Sequence, residues 1–300
     1  MWPVILQIGP LTVYSFGTMA ALGCIAAAWV IEREMNRRDL PGEVGWSIAI
    51  WGTAVGFLAS AVWYYVQHHF WELLSQPLDT LLASGAAVGE HFRSAQGSLP
   101  TRLFSTLAGF GSGFVWYGGL IGGTLAVTWI IYRHHLPWLI MVDCIAPALA
   151  LAYAIGRVGC LLAGDGDWGM PSELPWAMAF PNAIVGWPPL DEHGVPYPPD
   201  VRVHPTPIYE IIACLGIFFV LRALSRRPHA NGAILWWYCV LAASERFVIE
   251  FWRTNTPVAL GLTAAQIFSV LLFAVGAWQL ARVRGIQPAA TRPVAQPARQ

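Results

Sequence analysis

The sequence predicts an all-α polytopic membrane protein with seven transmembrane helices, an outer-side head region and an interfacial arm. Composition is the first observation behind this prediction. Of the 300 residues, 56% are hydrophobic and only 11% are charged, whereas soluble domains carry about 25% charged residues. Because so few charges cannot cover a surface that faces water, most of the surface must face lipid.

Long apolar stretches are the second observation. A spanning helix needs about 20 mostly apolar residues. We expect the first stretch to stay as an anchor, because no basic segment precedes it and no small-residue cleavage site stands out after it. The predicted spans are 11–32, 45–66, 114–132, 138–156, 207–224, 232–252 and 261–281.

Arginine placement predicts the orientation. Every basic residue is Arg, and basic residues concentrate in cytoplasmic segments. With an odd number of spans, the Arg-rich C-terminus is then cytoplasmic and the N-terminus lies outside. The Arg-rich side holds Arg33, Arg37, Arg38, Arg133, Arg222, Arg226, Arg227, Arg282, Arg284, Arg292 and Arg299.

The chain outside the spans falls into three segments. We expect an arm at about 67–113, whose apolar residues have the helical spacing of a helix in the membrane interface. A Gly-, Pro- and Trp-rich segment at about 157–206 predicts a compact head without long helices. Residues 1–284 then form a single membrane-embedded domain, and 285–300 a disordered cytoplasmic tail.

Charge and cysteine content exclude several functions. The 17 basic and 17 acidic residues balance, so the sequence does not suggest nucleic-acid binding. The five Cys are scattered, without a CxxC or Cys/His cluster, so we expect neither a metal site nor a disulfide framework.

Charged residues inside a predicted span mark the first candidate site. Arg246, Glu250 and Arg253 are spaced i, i+4, i+7, which places them on one helical face. Intramembrane charges are expensive and are a functional hypothesis by default. Two guanidiniums beside one carboxylate leave positive charge, which favours an anion site. The alternative is an internal salt-bridge ladder between helices.

The segment 156–169, GRVGCLLAGDGDWG, is the second candidate. Arg157 ends the fourth span, and glycines that include Gly164 and Gly169 let backbone amides form an anion-binding nest. The alternative is a flexible exit loop with a snorkelling Arg. Asp143 lies about four turns deeper on roughly the same face, where it orients polar groups of the site or bonds to a neighbouring helix.

Two further polar segments flank predicted spans. In FVWYGGLIGG, Gly118 and Gly119 permit close helix packing in lipid, and Tyr117 is either a site residue or an interfacial belt residue. In HPTPIYE, Pro205 and Pro207 suit a helix start, so Tyr209 and Glu210 fall in the first turn. Glu210 there complements the helix dipole, and His204 precedes them in the head.

Together these segments resemble the prolipoprotein diacylglyceryl transferase family of bacterial inner membranes. The patterns GRxGC…G…WG, HPxxxYE and RFxxEFxR occur in series, and the resemblance covers roughly 8–280. The matching stretches are IGPLTVYSFG (8–17), YGGLIGG (117–123), DCIAPALALAYAIGRVGC (143–160), AGDGDWG (163–169), LPWAMAFP (174–181), HPTPIYE (204–210) and ERFVIEFWR (245–253).

The resemblance implies an activity and its partners. The lipobox Cys thiol of a preprolipoprotein attacks the diacylglyceryl carbon of phosphatidylglycerol, a thioether forms, and glycerol-1-phosphate leaves. It implies an inner-membrane transferase with seven spans, a periplasmic N-terminus and no metal or cofactor. Its partners are phosphatidylglycerol, preprolipoprotein signal peptides with a lipobox cysteine, and membrane lipids.

The resemblance also implies the site residues. Arg157 and Arg246 match the family's two essential arginines. Tyr117 holds the position of a family His that is a base or a substrate contact, but a neutral Tyr is a poor base at neutral pH. Either another group, with His204 the nearest candidate by motif, takes the thiol proton, or the step needs no strong base. The substrate-binding candidates are Arg157, Gly164, Asp165, Gly169, Tyr209, Glu210, Glu250, Arg253, Asp143, Gly118 and Gly119.

Some positions depart from the family pattern. Tyr117 stands where relatives often have His, Phe16 where they have Tyr, and Ala61 where they have Arg. These departures keep open a paralogue that uses another phospholipid or acceptor. A lipid or anion transporter and a structural scaffold are the remaining alternatives, although broken helices and internal repeats are missing from the sequence.

Overall fold

The computed structural model describes residues 1–9, 11–75, 116–191 and 194–283. Within them the chain forms one β-hairpin and seven long helices. The hairpin strands are β1 (Val4–Ile8) and β2 (Leu11–Tyr14). The helices are α1 (Ser15–Asn36), α2 (Val44–Ser75), α3 (Trp116–Arg133), α4 (Trp138–Ala163), α5 (Thr206–Ser225), α6 (Ala233–Ile249) and α7 (Ala264–Val283).

Five helices of the described chain are long and apolar enough to cross a membrane. They lie at Ser15–Asn36, Val44–Tyr64, Trp138–Ala163, Thr206–Ser225 and Ala264–Val283. The prediction of a mostly helical membrane protein is therefore confirmed, whereas seven spans stay a prediction. Helix α6 has only 17 residues, because the chain tightens into a 3-10 turn at Glu250–Trp252.

The N-terminal hairpin corrects the predicted start of the first span. We expected the first span to begin at residue 11, but residues 4–14 pair as two antiparallel strands. The turn between them contains Gly9 at φ +56°, a conformation that glycine adopts without a steric penalty. Ser15 starts α1, and its backbone N–H donates to the carbonyl of Pro3 at 2.9 Å, which ties the hairpin to the helix.

The predicted arm and tail lie mostly outside the described residues. Helix α2 continues to Ser75, past the predicted span end at 66, so the first part of the arm (67–113) prolongs this helix. Residues 76–115 are not described, and neither is the predicted tail at 285–300.

The chain divides into two compact units, Met1–Trp46 with Pro137–Gln300, and Ser47–Leu136. In the second unit, α2 packs closely against α3. A Cβ at Gly118 would lie 2.6 Å from the carbonyl oxygen of Ala59, and a Cβ at Gly122 would overlap the Ala59 side chain. The expected glycine-mediated packing is therefore present. The single membrane-embedded domain stays a prediction.

Helix α4 organises the first unit. It packs against α1, α5 and α6. Small residues on α4, among them Ala146 and Ala150, meet Ile217 and Leu221 of α5 and Ile234 of α6 in a buried cluster. Because lipid tails provide no hydrophobic drive between helices, such close contacts of small residues hold the helices together.

The described part of the predicted head contains no helix, and this non-helical region begins at Gly164 because α4 extends to Ala163. Trp168, Phe180 and Val203 form its buried core. A bridge between Gly169 and Arg253 joins the head to the segment that follows α6.

Asp143 lies at the opposite end of α4 from the head and is fully buried. Its carboxylate accepts hydrogen bonds from the backbone N–H groups of Gly232 at 2.7 Å and Leu235 at 3.0 Å. Of the two roles considered for Asp143, the structure therefore favours the bond to a neighbouring helix, because the carboxylate caps the first turn of α6.

Replacement of Asp143 by Ala should destabilise the protein. It leaves two buried N–H donors at the start of α6 unsatisfied, and loss of a helix cap costs about 0.5–2 kcal/mol. Thermal unfolding of the detergent-solubilised full chain should show a lower midpoint for Asp143→Ala. Glu43→Ala, which removes an exposed carboxylate, is the control and should leave the midpoint nearly unchanged. An Asp143→Ala midpoint equal to that of the wild type would contradict the capping role.

Candidate functional site

Three arginines from different parts of the first unit meet around buried carboxylates. Arg157 lies within the last two turns of α4, and Arg246 lies in the last turn of α6. Arg253 follows the 3-10 turn, in extended backbone. Glu210 is the fifth residue of α5. The ends of three helices therefore supply the charged groups.

Glu210 is the centre of this arginine cluster. Its side chain has 0% exposure. Its Oε2 lies 2.5 Å from Arg157 Nε, and its Oε1 lies 3.1 Å from Arg246 NH1 and 3.7 Å from Arg253 NH1. A buried carboxylate needs paired cations to offset lost hydration. Glu210 therefore holds the three guanidiniums together. The prediction that it lies in the first turn of α5 is wrong, because the helix begins at Thr206 and its first turn contains no acidic residue.

Asp167 forms a second link between two of the arginines. One carboxylate oxygen pairs with Arg157 NH1 and the other lies 2.5 Å from Arg253 NH2. Burial alone raises the pKa of the Asp167 carboxyl, but the charges and hydrogen bonds of Arg157 and Arg253 outweigh it and lower this pKa to about 2. Asp167 is therefore ionised at neutral pH.

Glu250 is the second carboxylate that pairs with Arg246, besides Glu210. Its Oε2 lies 2.7 Å from Arg246 NH2, while Asn255 and Thr263 donate hydrogen bonds to its Oε1 at 2.7 and 2.8 Å. The prediction that Arg246, Glu250 and Arg253 share one face of a regular helix is wrong, because α6 ends at Ile249. The 3-10 turn nevertheless keeps Arg253 Nε within 3.8 Å of Glu250.

The expected excess of positive charge is also wrong for the folded site. Asp167, Glu210 and Glu250 match the three arginines one for one. Glu245 adds a further carboxyl, whose buried Oε1 has no hydrogen-bond partner among the described residues. The sequence spacing indicated only the charges of the segment 246–253. Asp167 and Glu210, which complete the charge balance, come from other parts of the chain.

Tyr153 was not among the predicted site residues. Its hydroxyl accepts hydrogen bonds from Nε and NH2 of Arg157 at 3.0 and 2.7 Å. The i, i+4 spacing of Tyr153 and Arg157 on α4 was the available signal. Asp167 and Glu245 were also missed, although both lie within the segments that carry the motifs.

The glycine loop after α4 supplies the Asp167 carboxylate to the arginines, and several of its amides already have acceptors. Gly164 donates to the carbonyl of Cys160 at 2.9 Å, and Gly169 donates to that of His204 at 2.8 Å. Asp165, which we expected to bind substrate, accepts a hydrogen bond from the Asp167 backbone at 3.3 Å. A Cβ at Gly169 would overlap the carbonyl of Trp252, so glycine permits the close approach of the two segments.

An aromatic group lies beside the arginine cluster at the head. The hydroxyl of Tyr209 accepts a hydrogen bond from Trp176 Nε1 at 2.8 Å and shares one with His204 Nδ1 at 3.0 Å. Trp252 packs against both His204 and Tyr209. Partial burial lowers the pKa of the His204 imidazole from its ordinary 6.5, which favours the neutral ring at pH 7.

One predicted site residue of the first unit lies far from this cluster. Asp143 lies fourteen residues before Arg157 on α4, about 21 Å along the helix axis at 1.5 Å per residue. Gly118 and Gly119 belong to the other unit, where both glycines lie on α3 and Gly118 faces α2. Tyr117 is the second residue of α3, and its side chain lies outside the described part of the chain.

Cys160, Asp165 and Asp167 each place a potential metal-ligand atom within 4.8 Å of one another. Both oxygens of Asp167 already pair with guanidiniums, however. A divalent cation would have to displace two fixed positive charges, so this donor set suits ion pairing better than a metal. The prediction that the site uses no metal stays a prediction.

Comparison with known proteins agrees with these motifs. A sequence model of the family described as "Prolipoprotein diacylglyceryl transferase" matches residues 3–282. A phosphatidylglycerol–prolipoprotein diacylglyceryl transferase of Nitratidesulfovibrio vulgaris is 30% identical over 94% of this chain and 94% of its own length. Proteins of the same name from Clostridium tetani and Pseudomonas aeruginosa are 26% and 29% identical, over 92% and 91% of this chain and 95% and 90% of theirs. The resemblance seen in the sequence is confirmed, and the chain belongs to the prolipoprotein diacylglyceryl transferase family.

Proposed function

We propose that the chain transfers the diacylglyceryl group of phosphatidylglycerol to the thiol of a lipobox cysteine in a preprolipoprotein signal peptide. The sulfur bonds to the glycerol carbon next to the phosphate, the C–O bond breaks, and glycerol-1-phosphate leaves. A base takes the thiol proton. This is the first step of bacterial lipoprotein maturation. Family membership and the names of the relatives support the reaction.

The single observation that carries the proposal is the convergence of Arg157, Arg246 and Arg253 at the helix ends. The leaving phosphate gains negative charge in the transition state. Preorganised cations in a low-dielectric site stabilise such charge without reorganising. By the resemblance, Arg157 and Arg246 are the catalytic arginines, and Glu210, Glu250 and Arg253 complete the substrate site.

The proposed setting is the bacterial inner membrane, with seven spans, a periplasmic N-terminus and a cytoplasmic C-terminus. The catalytic domain covers residues 1–284. Phosphatidylglycerol enters from the surrounding lipid, and the signal peptide brings its cysteine to the head side of the cluster. The nucleophile belongs to the substrate, so the five free cysteines of the chain are not required.

His204 is the proposed base, because Tyr117 replaces the usual family His. A neutral tyrosine has a pKa near 10 and is a poor base at pH 7. Partial burial lowers the pKa of the His204 imidazole, which favours the neutral, proton-accepting ring, and a hydrogen bond with the Tyr209 hydroxyl orients its Nδ1.

The reaction is tested with purified full-length chain, phosphatidylglycerol vesicles and a synthetic lipobox peptide. Mass spectrometry should detect the peptide plus one diacylglyceryl group, together with released glycerol phosphate. A peptide with Ser in place of the lipobox Cys should not be modified. Thioether formation only from another phospholipid would favour the paralogue alternative, and no product from any phospholipid would contradict the proposal.

Arg157→Gln and Arg246→Gln should each lower turnover by on the order of 10²–10³, the typical loss when one group that stabilises transition-state charge is removed. Breaking a buried ion pair also destabilises the fold by about 3–5 kcal/mol, so turnover is normalised to folded protein. Arg202→Gln, which alters an exposed residue of the head, is the control. Folded variants within about threefold of wild-type turnover would remove the proposed roles.

The base is identified from the pH dependence of turnover. With His204 as base, activity should fall as the pH drops through the lowered pKa of its imidazole, since only the neutral ring accepts a proton. His204→Gln should lower turnover by about 10²–10⁴ and abolish the fall in activity at low pH. Tyr117→Phe should retain both the wild-type turnover and this pH dependence. The opposite pattern would assign the chemistry to the Tyr117 hydroxyl instead.

A further inference from the structure

The three carboxylates that pair with the arginines differ in exposure. The side chains of Glu210 and Glu250 are 0% exposed and lie on α5 and on the 3-10 turn after α6. The Asp167 side chain is 30% exposed and lies on the loop that follows α4. Asp167 is therefore the one of these three that can leave the arginines without moving a helix.

Asp167 also bridges two arginines as a phosphate does. Its Oδ2 pairs with Arg157 NH1, and its Oδ1 lies 2.5 Å from Arg253 NH2. Charge-assisted bonds from guanidinium to carboxylate and to phosphate share the same geometry, in which two anionic oxygens face N–H donors. The carboxylate thus marks a position suited to a tetrahedral anion.

Arg253 has donors that Asp167 does not satisfy. Its side chain is only 10% exposed, and its Nε and NH1 have no hydrogen-bond acceptor among the described residues. The nearest paired carboxylate oxygens lie 3.8 Å from Nε and 3.7 Å from NH1. Unsatisfied buried donors are costly, and a phosphodiester, which is larger than a carboxylate and carries two ester oxygens besides its two anionic ones, offers them additional acceptors.

Arg246 pairs with two fully buried carboxylates instead of with Asp167. Its NH1 pairs with Glu210 at 3.1 Å and its NH2 with Glu250 at 2.7 Å. Both partners are fully buried, so an incoming anion could replace neither without leaving an uncompensated charge inside the protein. Arg246 therefore neutralises the permanent carboxylates, and Arg157 and Arg253 are the two arginines whose shared anion is exchangeable.

We propose that the Asp167 carboxylate occupies the phosphate subsite between Arg157 and Arg253, and that the lipid phosphodiester displaces it. The inference rests on the proposed function for the identity of the lipid. While the site is empty, Asp167 keeps two guanidiniums paired at the membrane. After transfer, its return competes with the phosphate of the product and helps to release it.

Rotation of one side chain is sufficient for this exchange. The loop as a whole stays in place, because the Thr206 hydroxyl donates a hydrogen bond to the Asp167 carbonyl and Gly169 donates to the His204 carbonyl at 2.8 Å, but it loses its tie to the arginines and becomes locally looser. The exposed fraction of Asp167 gives its carboxylate water to move into.

Lipid affinity tests the exchange directly. The dissociation constant of short-chain dioctanoyl phosphatidylglycerol is measured with the detergent-solubilised full chain. If Asp167 fills the subsite about 90% of the time, Asp167→Asn should tighten binding about tenfold. Arg253→Gln should weaken binding. Asp200→Asn, which removes an exposed carboxylate elsewhere in the head, should leave it unchanged. Unchanged or weaker binding by Asp167→Asn would overturn the inference.

Hydrogen exchange of the wild-type chain gives a second measurement that needs no variant. Dioctanoyl phosphatidylglycerol should speed amide exchange at residues 164–168, because the loop loses its tie to the arginines. Slower or unchanged exchange there would count against displacement.

The thioether assay separates the proposed transferase reaction from the proposed exchange of Asp167 with phosphate. A chain that forms no thioether, while Asp167→Asn binds lipid more tightly, contradicts only the reaction. An active chain with unchanged or weaker Asp167→Asn binding contradicts only the exchange.

Discussion

The pairing of Glu210 with three guanidiniums is the interaction on which the site depends. An isolated carboxylate so deeply buried would be strongly disfavoured, and so would unpaired arginines at the membrane. Each charge therefore requires the others, and the cluster forms only when α4, α5 and the end of α6 are correctly placed. Asn255 and Thr263 extend the same network from Glu250 to the start of α7.

The fold serves this cluster by bringing helix ends together. Small residues on α4 let α1, α5 and α6 approach closely. At the far end of α4, Asp143 caps the start of α6, while the other end of α6 is linked to α4 through Glu210, which pairs with both Arg157 and Arg246. The close contact of Gly169 with the segment after α6 then places the loop carboxylate of Asp167 against Arg253. A rigid set of permanent ion pairs is thus combined with one exchangeable anion.

The sequence predicted the parts of this arrangement that follow from local pattern. Composition and apolar stretches predicted the helical membrane fold, and the motifs located Arg157, Glu210, Arg246 and Arg253. The N-terminal hairpin was missed because its apolar residues read as the start of a span. The charge balance and Asp167 depend on pairing between distant segments. In the folded chain Asp167, rather than the predicted Asp165, pairs with the arginines.

The most direct test is a structure of the full chain in nanodiscs with phosphatidylglycerol bound. Phosphate oxygens should lie within hydrogen-bonding distance, about 2.7–2.9 Å, of nitrogens of Arg157 and Arg253, with the Asp167 carboxylate turned away and Glu210 still holding Arg246. A headgroup bound elsewhere, while Asp167 remains between the two arginines, would contradict the account.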